Sequence, residues 1–114
     1  MDPKQPNLQL RTKKFALNVV RLFKLLPNST EAQILGKQLL RSGTSVGANT
    51  RSAFRGRSAK EFKAKIGIVI EEADESIFWL EVLEESKTFK HNLIKELIEE
   101  AESLVSIFVS ISKK

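Results

Sequence analysis

A chain of 114 residues has the length of one ordinary domain and can bury roughly two thirds of the surface that its unfolded form exposes. The sequence contains no cysteine, which excludes disulfides, thiol catalysis and thiolate metal sites. Its net charge of +5 arises from an uneven distribution of bases and acids along the chain.

The apolar stretches are too short for a membrane protein. The longest runs, such as "IGIVI" at 66–70, fall far short of the ~20 residues that cross a bilayer. The N-terminus begins with an acid and two prolines and lacks the apolar stretch of a secretory signal. We therefore expect a single cytoplasmic domain over residues 1–114, with residues 1–10 loosely ordered.

Two apolar patterns with helical spacing occupy the first half of the chain. The first consists of residues three or four positions apart: Phe15, Val19, Leu22 and Leu26. It predicts a helix that ends at Leu26. Thr30 is followed three residues later by Gln33, a capping-box pattern that satisfies amide donors at a helix start. The second helix is therefore predicted to begin near Glu31.

Two further helices are predicted in the second half. Ser58 and Glu61 match the same capping box, each side chain bonding to the other residue's amide, and Gly56 just before them is expected to close the second helix. The third helix is long, roughly 40 Å at 1.5 Å per residue. After a polar break at 85–92, the fourth helix is marked by Leu93, Leu97, Ala101, Leu104, Phe108 and Ile111. Four helices with short connectors predict an all-α fold, an antiparallel up-and-down four-helix bundle.

Three glycines lie on the apolar side of the second helix. Gly36, Gly43 and Gly47 each cost about 0.5–1 kcal/mol relative to alanine inside a helix, so they indicate close packing by another helix that offsets the loss. A phosphate-binding loop is the alternative interpretation. The stretch "SGTSVGANT" lacks the final Gly-Lys-Ser/Thr of a P-loop, and no strand pattern precedes it.

The charges divide the molecule. Residues 37–65 contain eight bases and one acid, whereas residues 71–85 contain seven acids and no base. Arg41, Arg51 and Arg55 fall within roughly 80° of one another on the second helix. Arg57 and Lys60 continue this basic face at the turn. Guanidinium groups bind phosphate bidentately, and neutralising phosphates releases counterions, so the five residues form a candidate nucleic-acid-binding face.

The alternative to nucleic-acid binding is a solvated basic face whose arginines pair with acids across the bundle. Arg41 is the proposed partner of Glu72 or Glu75 in the polar core. Removing one member of a buried pair of this kind costs about 3–5 kcal/mol. Phe54 is the only aromatic among the basic residues, so the sequence offers little for stacking single-stranded bases.

A second apolar stripe runs along the third helix outside its core face. It contains Ile68, Trp79 and Val82, which a monomeric four-helix bundle cannot easily bury. A tryptophan in register with aliphatic residues is typical of an interface anchor, so the stripe predicts a subunit interface. Ordinary surface hydrophobicity is the alternative.

Catalysis finds little support in the residue types. His91, the single histidine, lies in a polar connector where a solvated side chain is expected. Position 88 is threonine, so the Glu-x-x-His motif of di-metal bundles is absent. Glu72 and Glu75 are the only credible acids for an enzyme, and such carboxylates also arise in structural ion pairs. We expect no catalytic activity, no cofactor and no metal.

Two stretches carry a family resemblance. "QLLRSGTSVGAN" followed by "SAKEFKAKIGIVIEEADESIFWLEVL" resembles the four-helix bundle proteins related to the open reading frames of ribosomal RNA intervening sequences, from about Phe15 to Leu83. The most specific matching positions are Gln38, Arg41, Ser42, Ser45, Asn49, Glu72, Glu75, Trp79 and Leu80. Family members often have an acid just after the asparagine and an aliphatic residue at position 63. This chain has "TRS" at 50–52 and Lys63, which makes the helix more basic.

The resemblance implies a small bacterial protein of the cytoplasm, without enzymatic activity, that forms a ring-like homo-oligomer, commonly a pentamer. A similar relative, the accessory variability determinant of diversity-generating retroelements, works with a reverse transcriptase and nucleic acid. The resulting interpretation is an oligomeric accessory protein that binds the backbone of RNA or DNA through the basic face. The alternative is an oligomeric scaffold that recognises a protein partner, such as a reverse transcriptase, without binding nucleic acid.

Overall fold

Each of the four predicted patterns forms one α-helix in the computed structural model, which describes residues 7–114. The helices are α1 (Leu8–Leu25), α2 (Thr30–Phe54), α3 (Ala59–Glu85) and α4 (Asn92–Ser112). The stretch predicted to be loosely ordered, residues 1–10, overlaps α1 from Leu8 onward, and its residues 1–6 lie outside the described residues. Across 7–114, none of the helices is long and apolar enough to span a membrane.

The start of α2 differs by one residue from the predicted capping box. Ser29, and not Thr30, is the N-cap, and its side chain accepts a hydrogen bond from the amide of Ala32 at 3.3 Å. Gln33 donates its side-chain amide to the carbonyl of Pro27 instead of closing the box. Asn28 and Ser29, both preferred N-cap residue types, precede this helix, so the spacing of Thr30 and Gln33 alone placed the cap one position too late.

At the start of α3, one of the two hydrogen bonds of the predicted capping box is present. The Ser58 hydroxyl accepts from the amide of Glu61 at 3.1 Å, as expected. The Glu61 carboxylate accepts from the amide of Arg57 at 2.7 Å, one residue before the predicted donor. The α2 helix already ends at Phe54, and Gly56 lies in the connector. The chain therefore turns over only four residues between two long helices.

The helices form an antiparallel up-and-down bundle. Each helix contacts the next one along the chain, and α1 also contacts α4. The glycines of α2 show the antiparallel direction, because Gly36 lies near Phe23 whereas Gly47 lies near Thr12. The bundle is 44 Å long and 24 by 20 Å across, which matches the 27-residue length of α3. The predicted fold class is confirmed.

The core contains apolar side chains from all four helices together with four fully buried hydroxyl residues. Ser42 on α2 and Ser76 on α3 share a hydrogen bond of 2.9 Å. Each of these hydroxyls also lies within hydrogen-bond distance of a carbonyl of its own helix. Thr12 and Thr50 donate to the carbonyl four residues earlier. Every buried hydroxyl is thus satisfied, so burial carries no penalty for an unpaired polar group.

The glycines of α2 allow α1 to approach closely, as predicted. A Cβ atom on Gly43 would lie 2.7 and 2.9 Å from the two Cγ atoms of Val19. One on Gly47 would lie 3.1 Å from the carbonyl oxygen of Thr12. Gly67 on α3 is different, because nothing lies within 4 Å of a Cβ added there. Packing therefore requires glycine at positions 43 and 47 of α2 but not at position 67 of α3.

Two substitutions test this difference. Gly43→Ala is expected to lower the free energy of unfolding by about 1–3 kcal/mol, because Val19 is β-branched and cannot rotate away from the new methyl group. Gly67→Ala is expected to raise it by about 0.5–1 kcal/mol through helix propensity alone. Urea unfolding of both variants measures the two changes. Stabilisation of similar size in both would contradict the packing argument.

Candidate nucleic-acid interface

Four of the predicted basic residues lie together where α2 ends and α3 begins. Arg51 belongs to the last turn of α2, Arg55 caps that helix, Arg57 lies in the connector and Lys60 belongs to the first turn of α3. All four side chains are exposed. The short connector holds residues from two antiparallel helices at the same end of the bundle. The structure therefore brings these four cations together.

A concave surface of about 620 Å³ lies between the two helices at this end. Arg51, Arg55, Arg57 and Lys65 line it, with Glu61 as its single acid. Its other lining residues are small: Ala48, Ser52, Gly56 and Ala64. Because these small side chains fill little space, the longer cationic side chains surround an open depression in the surface. We call this surface the basic groove.

The basic groove has the donors that phosphate oxygens require. Each guanidinium presents five N–H donors in a planar fork that matches two phosphate oxygens. Glu61 already accepts the amide of Arg57, which reduces its capacity to neutralise the arginine side chains. Among the ion pairs formed within residues 7–114, none includes a cation of the groove. The groove can therefore accept an anion without first breaking an ion pair.

Arg41 is separated from this group. Its Nη1 donates to Glu72 Oε2 at 3.0 Å, and its Nη2 donates to Glu75. The hydrogen bond to Glu75, opposed by slight desolvation and assisted by the charges of both carboxylates, raises the pKa of Arg41 above its ordinary value. Two carboxylates on one guanidinium leave a net negative charge at this place. Arg41 thus serves the predicted polar pairing and is poorly placed to bind phosphate.

The expectation that this pairing is buried was wrong. The Arg41 side chain is 53% exposed, and those of Glu72 and Glu75 are 17% and 37% exposed. The pairing lies on the outer surface of the α2–α3 pair because the inner positions are taken by Ser42 and Ser76. Ion pairs this exposed typically contribute 0–1 kcal/mol.

The apolar stripe of α3 lies on the same outer surface. Ile68 is 37% exposed, while Trp79 and Val82 are half-buried. Trp79 donates its indole N–H to Glu75 at 3.1 Å, which joins the stripe to the Arg41 ion pairs. The exposed ring of Phe78 packs edge-on against Trp79, with centroids 5.0 Å apart.

Sequence reasoning missed Ile34, which is 58% exposed on α2. It lies seven residues before Arg41, on the same side of the helix. Because α2 and α3 are antiparallel, this places Ile34 at the level of Val82. The seven-residue spacing from Arg41 was the available signal.

A second missed contact joins the first helix to the last. Arg11 on α1 donates to both carboxylate oxygens of Glu100 on α4, at 2.8 and 2.7 Å, and to the Ser103 hydroxyl at 2.9 Å. The hydrogen bond to Glu100 raises the pKa of Arg11. The partners are 89 residues apart and match no motif, so no local sequence signal indicated this contact.

His91 has a structural position at the start of α4. Its Nδ1 accepts from the amide of Leu93 at 3.0 Å, and its ring stacks on Phe89. In the portion of the chain from residue 7 onward, no group of three or more histidine, cysteine, aspartate or glutamate residues is placed to hold a metal ion.

A double-mutant cycle on Arg41→Gln and Glu72→Gln tests the surface position of the ion pair. We expect a coupling free energy of about 1 kcal/mol or less, decreasing in high salt, because both water and ions reach the guanidinium. Urea unfolding of the four proteins at low and high salt measures it. A coupling near 3 kcal/mol would show that the pair behaves as a buried one.

Comparisons with known proteins agree with this architecture. Residues 7–110 match the family model described as 23S rRNA-intervening sequence protein. The fold is similar to a 1.70 Å crystal structure of a protein of unknown function from the S23 ribosomal protein family of Bacteroides thetaiotaomicron VPI-5482. The two share 32% sequence identity with a TM-score of 0.86, over 94% of this chain and 99% of the other. Among curated proteins, none matches the chain. Because the family model matches the chain from the start of α1 to residue 110 in α4, the chain belongs to the 23S rRNA-intervening sequence protein family.

Proposed function

We propose that this protein is an oligomeric, non-enzymatic accessory protein that binds the phosphate backbone of RNA. The observation that carries the proposal is the basic groove, where Arg51, Arg55, Arg57 and Lys65 surround a hollow with one acid. Lys60 stands beside it on the first turn of α3. Arg41 is left out of the binding set because two carboxylates already hold it.

The chemistry of the groove favours backbone contacts over base recognition. Its lining contains no aromatic residue on which a base could stack. Phe54 is nearby and 39% exposed, but it packs edge-on against Phe62 with centroids 5.4 Å apart. Charge contacts of this kind bind many sequences about equally and weaken as salt rises.

RNA is favoured over DNA by the family to which the chain belongs, since the family's description refers to 23S rRNA. The proposal therefore places the protein in the cytoplasm with RNA as its partner. A link to retroelements and reverse transcriptases is carried only by the resemblance described above.

Self-association is the second part of the proposal. Ile34, Ile68 and Phe78 are exposed apolar side chains on the outer surface of α2 and α3, with Trp79 and Val82 beside them. Covering such a surface in a homo-oligomer removes apolar area from water. The family resemblance favours a pentamer. Several subunits would repeat the basic groove, and linked weak sites gain avidity without a new type of contact.

The alternative is a scaffold for a protein partner. One observation favours it: Leu10 and Leu17, one helical face of α1, are 64% and 59% exposed. These leucines do not line the basic groove and are not explained by phosphate binding. The two functions are distinguished by the first experiment below.

The triple variant Arg51→Gln, Arg55→Gln and Arg57→Gln tests phosphate binding. We expect weaker binding to RNAs of different sequence, by similar factors, and a slope of log affinity against log salt that is smaller by about one unit per lost contact. Filter binding over a salt series measures both quantities. Lys87→Gln, Lys90→Gln and Lys95→Gln, with the same loss of charge at the opposite end of the bundle, is the control.

An unchanged slope in the arginine variant would show that the basic groove is not the site. Failure of the wild-type protein to bind RNA even at low salt would overturn the RNA proposal and favour the protein scaffold.

Ile68→Glu tests self-association. Its side chain is partly exposed, so a carboxylate there leaves the core intact but has to be desolvated in the proposed subunit contact. Light scattering is expected to show several subunits for the wild type and a lower mass for the variant, with unchanged helical content by circular dichroism. Ser106→Glu, on the exposed side of α4, is expected to keep the wild-type mass. A monomeric wild type at micromolar concentration would contradict the proposal.

A further inference from the structure

The C-terminal end of α4 reaches the same end of the bundle as the basic groove. Arg11, near the start of α1, is held by Glu100 and Ser103, so these residues lie at the same level. Helix α4 continues for nine residues beyond Ser103, roughly 14 Å at 1.5 Å per residue. It runs antiparallel to α3, and thus towards the connector between α2 and α3.

This brings further cations to that end. Lys113 and Lys114 follow α4, and Lys63 lies on the second turn of α3; all three side chains are exposed. None of them belongs to the lining of the basic groove. We call the complete set the basic end: Arg51, Arg55, Arg57, Lys60, Lys63, Lys65, Lys113 and Lys114.

The opposite end of the bundle has a different character. The last two turns of α3 carry Glu81, Glu84 and Glu85, and cations are interspersed in the following connector at Lys87 and Lys90. Acids thus accompany the cations at the opposite end, whereas the groove at the basic end contains Glu61 as its single acid, in a molecule that is 44 Å long. Such a distribution orients the molecule towards a polyanion during encounter.

The lateral spread of the basic end indicates the form of the polyanion. The basic groove is a single depression surrounded by its cations, so it can hold the phosphates of one RNA strand. Lys113 and Lys114 directly follow α4, a helix that does not contact α2, in a bundle 24 by 20 Å across. A duplex presents phosphates of two strands across a broad surface, with one charge per ~1.7 Å of its axis.

We propose that the basic end binds double-stranded RNA, with the groove cations on the phosphates of one strand and Lys63, Lys113 and Lys114 on those of the other. This inference rests on the proposed RNA-binding function and adds the form of the ligand and three residues to it. A-form RNA is recognised largely through its shape and backbone, for which a surface without stacking aromatics is suited.

The test compares Lys63→Gln, Lys113→Gln and Lys114→Gln with the wild type on two fluorescent RNAs. One is a hairpin with a stem of about 16 base pairs, a length typical of duplex-binding domains, and the other is an unstructured single strand of the same number of nucleotides. Fluorescence anisotropy over a salt series gives affinity and slope. For the hairpin we expect the slope to fall by about two to three units, while for the single strand it stays unchanged.

The triple variant at Lys87, Lys90 and Lys95 is the matched control, because it removes the same number of lysine charges from the other end. It is expected to bind both RNAs with the wild-type slopes. Circular dichroism of both variants checks that the helical content is retained.

The outcomes separate the two proposals. If the wild type binds neither RNA, the proposed function fails and this inference fails with it. If the arginine variant weakens binding of both RNAs but the Lys63, Lys113 and Lys114 variant behaves like the control, RNA binding stands and the two-strand inference is overturned. Equal loss of slope on the hairpin and on the single strand also overturns it, since the three lysines would then contact one strand only.

Discussion

The packing of α2 against α3 is the contact on which the rest of the molecule depends. At its centre Ser42 and Ser76 share a hydrogen bond, and neither side chain is large enough to separate the helices. On another side of α2, Gly43 allows Val19 of α1 to approach closely. These two contacts leave one side of α2 uncovered, and small residues with interspersed arginines occupy it. The exposed side of α2 thus follows from its two close contacts, with α3 and with α1.

The antiparallel direction of this pair explains why one arginine is neutralised and others are not. Arg41 lies opposite Glu75, and Phe54 lies opposite Phe62, so each step towards the end of α2 is matched by a step back along α3. Arg51 consequently lies at the level of Lys65, so that two cationic side chains face each other. The acids of 71–85 cannot reach the connector, because a stiff helix holds them further along the bundle. The acids of 71–85 therefore form no ion pair with the cations at the connector between α2 and α3.

Helical spacing was enough to predict four helices and their order, because each helix depends on residues close together in sequence. The glycines of α2 indicated a close helix contact, but which helix makes it depends on how α1 and α2 meet. The cap of α2 was predicted one residue late, because the capping-box spacing fits Thr30 and Gln33, whereas the actual cap, Ser29, is followed three residues later by Ala32. The contact of Arg11 with Glu100 could not be predicted, because it depends on how α1 and α4 meet across the bundle. From sequence, Arg41 was assigned both to phosphate binding and to ion pairing. Its position opposite Glu72 and Glu75 in the structure favours ion pairing.

The proposed subunit contact and the proposed phosphate contact are neighbours on the outer surface of the α2–α3 pair. Ile68 is only one turn from Lys65, which lines the basic groove. A subunit that covers Ile68 would bring further cations close to the groove and raise their mutual repulsion, which weakens association at low salt. Phosphates bound at the groove would relieve this repulsion. By linkage, an RNA that binds the assembled form more tightly than the single subunit stabilises assembly by the same free energy. If both proposals hold, the apolar stripe and the basic groove would be coupled through their neighbouring positions on α3.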